Sequence, residues 1–163
     1  MLAGRSDLTY AATAPFRHPR PYEPALDFAL RDPDSAPWGI TPFLLRRISD
    51  PAVAERRRDN YRLLVSRLRE HVPEPFGDLT DGASPFAFPI QVEAKGRFLA
   101  RLRQWGVNAL DLWSVPHPAL ATERFPGAAS RRATTVGLPV HQELRRRDLE
   151  RIVTAVGDAL RRL

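Results

Sequence analysis

Tryptophan, histidine and proline crowd Trp113-Ser114-Val115-Pro116-His117-Pro118, and proline and histidine recur in Thr135-Val136-Gly137-Leu138-Pro139-Val140-His141-Gln142, with Phe125-Pro126 between them. Prolines stiffen a turn and hold neighbouring side chains out at low entropic cost, so an indole and an imidazole placed there could touch a ligand. The same residues could equally serve the fold, with Trp113 in the core and His117 capping a turn; their types leave both readings open. Lys95, the only lysine among 25 basic residues, could in principle form a Schiff base. That chemistry needs an amine that is desolvated or flanked by cations. The surrounding Glu93-Ala94-Lys95-Gly96-Arg97 reads as an exposed turn between a strand and a helix, so no catalytic role is assigned to Lys95.

Other chemistries lack their residues. The histidines His18, His71, His117 and His141 include no pair at the i, i+4 spacing of a helical metal site. The absence of cysteine removes thiolate nucleophiles, thiolate-bound metals and disulfides. There is no glycine-rich phosphate loop and no nucleophile elbow. The net charge of +6 and the runs Arg56-Arg57-Arg58, Arg131-Arg132, Arg145-Arg146-Arg147 and Arg161-Arg162 raise the question of nucleic acid. Consecutive helical residues point in different directions, and Glu55, Asp59, Glu143 and Asp148 interrupt the runs, so they read as solvated surface and nucleic acid is not the expected partner. No apolar run approaches the ~20 residues that span a bilayer. Met1 to Tyr10 lacks a basic-then-apolar leader pattern, which reads as a cytoplasmic protein.

The elements that must position these residues follow from periodicity. From residue 1 to 40, closely spaced prolines exclude a long helix or a central strand, and the stretch reads as an arm or connector that nonetheless carries Tyr10, Phe16, Tyr22 and Trp38. Thr41-Pro42 and Asp50-Pro51 each pair a capping residue with proline at the first helical position, predicting a short helix followed by a long one. In the long helix Val53, Tyr61, Leu64, Val65, Leu68 and Val72 fall at helical spacing, with Pro73 and Pro75 ending it. Phe86, Phe88, Ile90 and Val92 alternate as in a half-buried strand, with Pro89 marking an edge. Phe98, Leu99, Leu102 and Trp105 predict a helix closed by Gly106, residues 107–113 a second strand, residues 114–132 a loop, and residues 134–140 a third strand. Leu149, Ile152, Val153, Val156, Leu160 and Leu163 make the stripe of a terminal amphipathic helix. The order predicts an α+β domain over 41–163, a small mixed or antiparallel sheet with amphipathic helices on one face.

Taken together, Arg57-Arg58-Asp59-Asn60-Tyr61, Pro85-Phe86-Ala87-Phe88-Pro89-Ile90, Trp113 to Pro118, and Gly137-Leu138-Pro139-Val140-His141 before the last helix form a recognisable series. It resembles the carboxy-terminal small domain of DegT/DnrJ/StrS-type aminotransferases, fold type I enzymes that use pyridoxal 5'-phosphate to aminate keto sugars on nucleotides. The resemblance implies a fragment or truncated homologue, inactive alone, because the family's cofactor lysine lies in a large domain to which this sequence has no counterpart. It implies that His117 falls near the sugar-nucleotide site, that Trp113 lines the same pocket, and that His141 is structural. The family's glycine-tyrosine-asparagine segment would fall at residues 36–40, which lack the asparagine. Three partners are implied: a separate large-domain polypeptide, a second copy of the chain, and a sugar nucleotide. A stand-alone sugar-nucleotide-binding or interaction module is the alternative.

Overall fold

The computed structural model describes residues 36–48, 50–116 and 122–163, which separate into two units, 36–48 with 115–116 and 50–114 with 122–163. The predicted arm, residues 1–40, lies almost wholly outside the described residues, as does His117. In the first unit, helix α1 (Thr41–Ile48) buries no residue. Trp38, Phe43 and Ile48 are all exposed, and Arg47 lies 5.1 Å over the Phe43 ring.

The second unit holds the core. Helix α2 (Pro51–Leu68) starts where its sequence signals it, with Asp50 accepting the Ala52 N–H at 2.9 Å and Pro51 at the first position. Tyr61, Leu64 and Leu68 are its buried face. A loop then leads to strand β1 (Ala87–Gln91), followed by α3 (Lys95–Gln104), β2 (Leu110–Asp111), α4 (Pro126–Thr134), β3 (Thr135–Pro139) and α5 (Arg146–Arg161). The sheet is antiparallel in the order β1-β3-β2, so β3 is central and β1 is an edge. Phe88, Ile90, Val136 and Leu138 are fully buried on its core face, where α5 packs on α2 and α3.

Pro89 sits on that edge in a way its chemistry requires. Val92 donates to Thr134 across the β1–β3 ladder at 2.9 Å, and hydrogen-bonded pairs alternate in an antiparallel ladder. Ile90–Val136 and Phe88–Leu138 are therefore the bonded pairs, and Pro89 faces Gly137 in a pair that exchanges no hydrogen bonds. The donor that proline lacks would have pointed away from the sheet.

The terminal helix follows its sequence pattern, with Leu149, Ile152 and Val156 buried and Ala155 and Ala159 completing the face. The Asp148 carboxylate accepts the Arg145 N–H at 2.9 Å and so satisfies a donor at the helix start. Gly106 ends α3 at φ 70°, in the left-handed region open to glycine. Beside it, the Trp105 indole donates to Asp158, and this bond, with the Arg162 guanidinium, holds the Asp158 carboxyl below its ordinary pKa.

Four expectations are corrected. The second strand contains Leu110 and Asp111 alone, because the Val107 N–H turns back to the Leu102 carbonyl at 2.9 Å and Trp113 takes a positive φ. The predicted loop gives way at Pro126 to α4, which runs on to Thr134, the first residue of the predicted third strand; it is a helix of small and basic residues that buries nothing and so shows no apolar stripe. Phe86 precedes β1 and is 73% exposed. Lys95 is no exposed turn residue: it opens α3 with its side chain only 10% exposed.

Candidate functional site

The loop resemblance turns on Trp113, and the structure gives that residue an unusual backbone. Among the described residues, it is the one non-glycine with a positive φ, 55°. For a residue with a Cβ this conformation costs about 1–2 kcal/mol, and it persists only where the surroundings enforce it. Enforcement comes from both sides of Leu112. The Lys95 ammonium donates to the Leu112 carbonyl at 2.7 Å, and the Leu112 side chain lies against Gly137, where a Cβ would stand 3.1 Å from its Cγ and Cδ1. Leu112 is thus held by its main chain and its side chain, and Trp113 turns at the fixed end.

Lys95 does more than hold one carbonyl. Its ammonium also donates to the Arg132 carbonyl at 2.7 Å and pairs with the Asp111 carboxylate at 2.5 Å. Arg132 lies in the last turn of α4, where carbonyls lack intrahelical donors and the helix dipole favours a cation. One ammonium thereby ties the start of α3 to β2 and the end of α4. Sequence reasoning missed Lys95 and Asp111 as partners because they are 16 residues apart and share no local pattern. The available signal was composition: one lysine stands in a chain whose other basic residues are arginine.

The turn presents Trp113 52% exposed, with Ser114 exposed after it. An exposed indole on a fixed backbone is a stacking platform for a planar ring or the apolar face of a sugar. It supplies no acid, base or nucleophile. Among the described residues no group of three histidines, cysteines or carboxylates is placed to hold a metal ion. None of the helices described is long and apolar enough to cross a membrane.

The other sequence stretches of the resemblance meet as fasteners. The Asn60 amide donates to the Val140 and His141 carbonyls at 3.3 and 3.0 Å, and Arg57 donates to the Gln142 side chain at 3.1 Å. Arg58 donates to the Ala83 carbonyl, so two arginines of a run read as solvated surface are half-buried and bind loops. The Tyr61 hydroxyl donates to the Phe76 carbonyl at 2.6 Å, and burial pushes its pKa up to about 12. His141, half-buried beside this seam, contributes its carbonyl to it.

No family model matches the sequence, and no curated protein matches it either. Solved structures do. An aminotransferase, TlmJ, from Streptoalloteichus hindustanus is 24% identical with a TM-score of 0.58, over 76% of this chain and 35% of its own. A DegT DnrJ EryC1 StrS aminotransferase from Brucella abortus is 18% identical with a TM-score of 0.56, over 67% of this chain and 31% of its own. The sugar aminotransferase CalS13 from Micromonospora echinospora is 20% identical with a TM-score of 0.54, over 66% of this chain and 31% of its own. The chain spans about a third of the length of these structures. Its α+β architecture, a small antiparallel sheet carrying amphipathic helices, is the fold of that part of a DegT/DnrJ/StrS-type sugar aminotransferase.

Proposed function

We propose that these residues are the small-domain portion of a pyridoxal-phosphate-dependent sugar aminotransferase whose cofactor lysine belongs to residues outside this sequence. The observation that carries the reading is the fold likeness to three aminotransferases over about a third of their length. The state of Lys95 supports it. Imine formation needs a neutral amine open to the aldehyde, and this amine is enclosed by two carbonyls and a carboxylate. The residues present do not fit a covalent cofactor site, and no chemical step is assigned to them. Trp113, with His117 beyond the described residues, is the proposed contact to the sugar nucleotide.

The test is direct. Purified chain mixed with pyridoxal phosphate, an amino donor and a keto sugar nucleotide should show no transamination, and borohydride reduction followed by peptide mapping should leave Lys95 unmodified. Turnover by the chain alone, or a stoichiometric reduced adduct on Lys95, would end the proposal. A split enzyme predicts that a separate large-domain polypeptide copurifies and restores turnover; a second copy of the chain is the other protein partner, read from its solution mass.

A stand-alone binding module is the second reading, favoured by the enforced, exposed turn at Trp113. It requires sugar-nucleotide binding by the chain alone, lost in Trp113→Ala and in His117→Ala. A cytoplasmic setting is part of the proposal, and fractionation of the producing cells would test it.

A further inference from the structure

We infer that Lys95 is a positioning residue: its ammonium fixes Leu112 and thereby sets the left-handed backbone of Trp113, so that the indole is presented in place before a ligand arrives. The functional consequence rests on the proposed role of Trp113 in sugar-nucleotide contact; the positioning itself does not.

Three observations meet at this ammonium. The first is geometric: its acceptors are the Leu112 and Arg132 carbonyls and the Asp111 carboxylate, so its three donors have three partners on two different segments. The second is compositional. In a chain that otherwise uses arginine for every cation, the lone lysine occupies a place only 10% exposed. A guanidinium is a broad planar fork suited to two parallel acceptors, whereas an ammonium is compact and can direct hydrogens to acceptors converging from several sides. The third is the backbone: Trp113, the residue straight after the tethered carbonyl, holds a conformation that its own chemistry disfavours. Release of the ammonium removes the main-chain half of the constraint on Leu112 and leaves the packing on Gly137 as the other half.

The first measurement uses the unsubstituted chain. Reductive methylation followed by peptide mapping should leave Lys95 unmodified in native buffer and modify it fully in denaturant; methylation in native buffer at the rate of a free amine overturns the enclosure. The second uses the indole N–H signals of Trp38, Trp105 and Trp113, with the last assigned by its loss in Trp113→Phe. In Lys95→Met and, as a gentler variant, Asp111→Asn, the Trp113 signal should shift or broaden while the Trp38 and Trp105 signals hold, which also reports that the fold is intact. A Trp113 signal unmoved in both folded variants overturns the positioning role. The third is titration with UDP-glucose, where binding by the parent chain should weaken about tenfold in Lys95→Met. Equal affinity in parent and variant counts against preorganisation. If the Trp113 signal moves in the variants and the parent chain binds no UDP-glucose, the positioning stands and the binding role given to Trp113 falls.

Discussion

Gly137 and Leu112 lie so close that a Cβ on the glycine would stand 3.1 Å from two carbons of the leucine side chain. Ala87, on the neighbouring edge strand, would be met at the same distance. A branched side chain there must push one neighbour aside. Gly137→Val is expected to destabilise the fold by about 1–3 kcal/mol through overpacking, read as a lower urea midpoint. Because Leu112 carries the Trp113 turn, the variant should also move the Trp113 indole signal.

Tyr61 predicts a loss of stability in alkali. Its ordinary pKa of 10.0 applies in the unfolded chain, and in the folded protein burial raises it to about 12. The raised value means that the fold favours the neutral phenol. This contribution is complete below about pH 10 and is lost as pH rises from about 10 to about 12. Tyr61→Phe should flatten that part of the stability profile. The ring, 4.9 Å from Phe88 in an edge arrangement, is retained, and the lost bond to the Phe76 carbonyl should cost about 0.5–1.5 kcal/mol at neutral pH.

Asn60 joins α2 to the end of β3 through two carbonyls. Asn60→Ala leaves both without this donor in a half-buried seam and is expected to cost about 1–3 kcal/mol by thermal or urea unfolding. An unchanged midpoint would show that the seam is held by packing alone.

Two glycines should respond in opposite senses to alanine. Gly106 has φ 70°, and a Cβ there would collide with the Arg151 guanidinium that binds the Trp105 carbonyl. Gly106→Ala is expected to lose about 1–2 kcal/mol. Gly127 lies inside α4, with nothing within 4 Å of an added Cβ. Gly127→Ala should gain about 0.4–1 kcal/mol by restricting the unfolded chain. Paired melting curves test both.

Much of the fold was legible because its signals are local. Asp50-Pro51 caps α2, the stripe from Leu149 to Leu160 makes α5, and Gly106 closes α3, each through residues within a few positions of one another. Helix α4 escaped because a helix that buries nothing has no reason to show an apolar period, leaving Pro126 as its only strong mark. The candidate site was less legible than the fold. Trp113 was singled out by its proline-rich setting, but its turn depends on Lys95, Asp111, Arg132 and Gly137, which come together only in the folded chain. The flanking glutamate, glycine and arginine made Lys95 read as solvent-facing, whereas acceptors from β2 and α4 close over it.

The proline in the edge strand bears on how this chain meets other chains. A foreign strand laid against the open side of β1 would look for donors at Ala87, Pro89 and Gln91, the residues left unbonded by β3, and the middle one has none to give. A template interrupted at its centre is a poor seed for intermolecular sheet growth. Self-association by strand addition is therefore disfavoured on that side, even when the protein is concentrated.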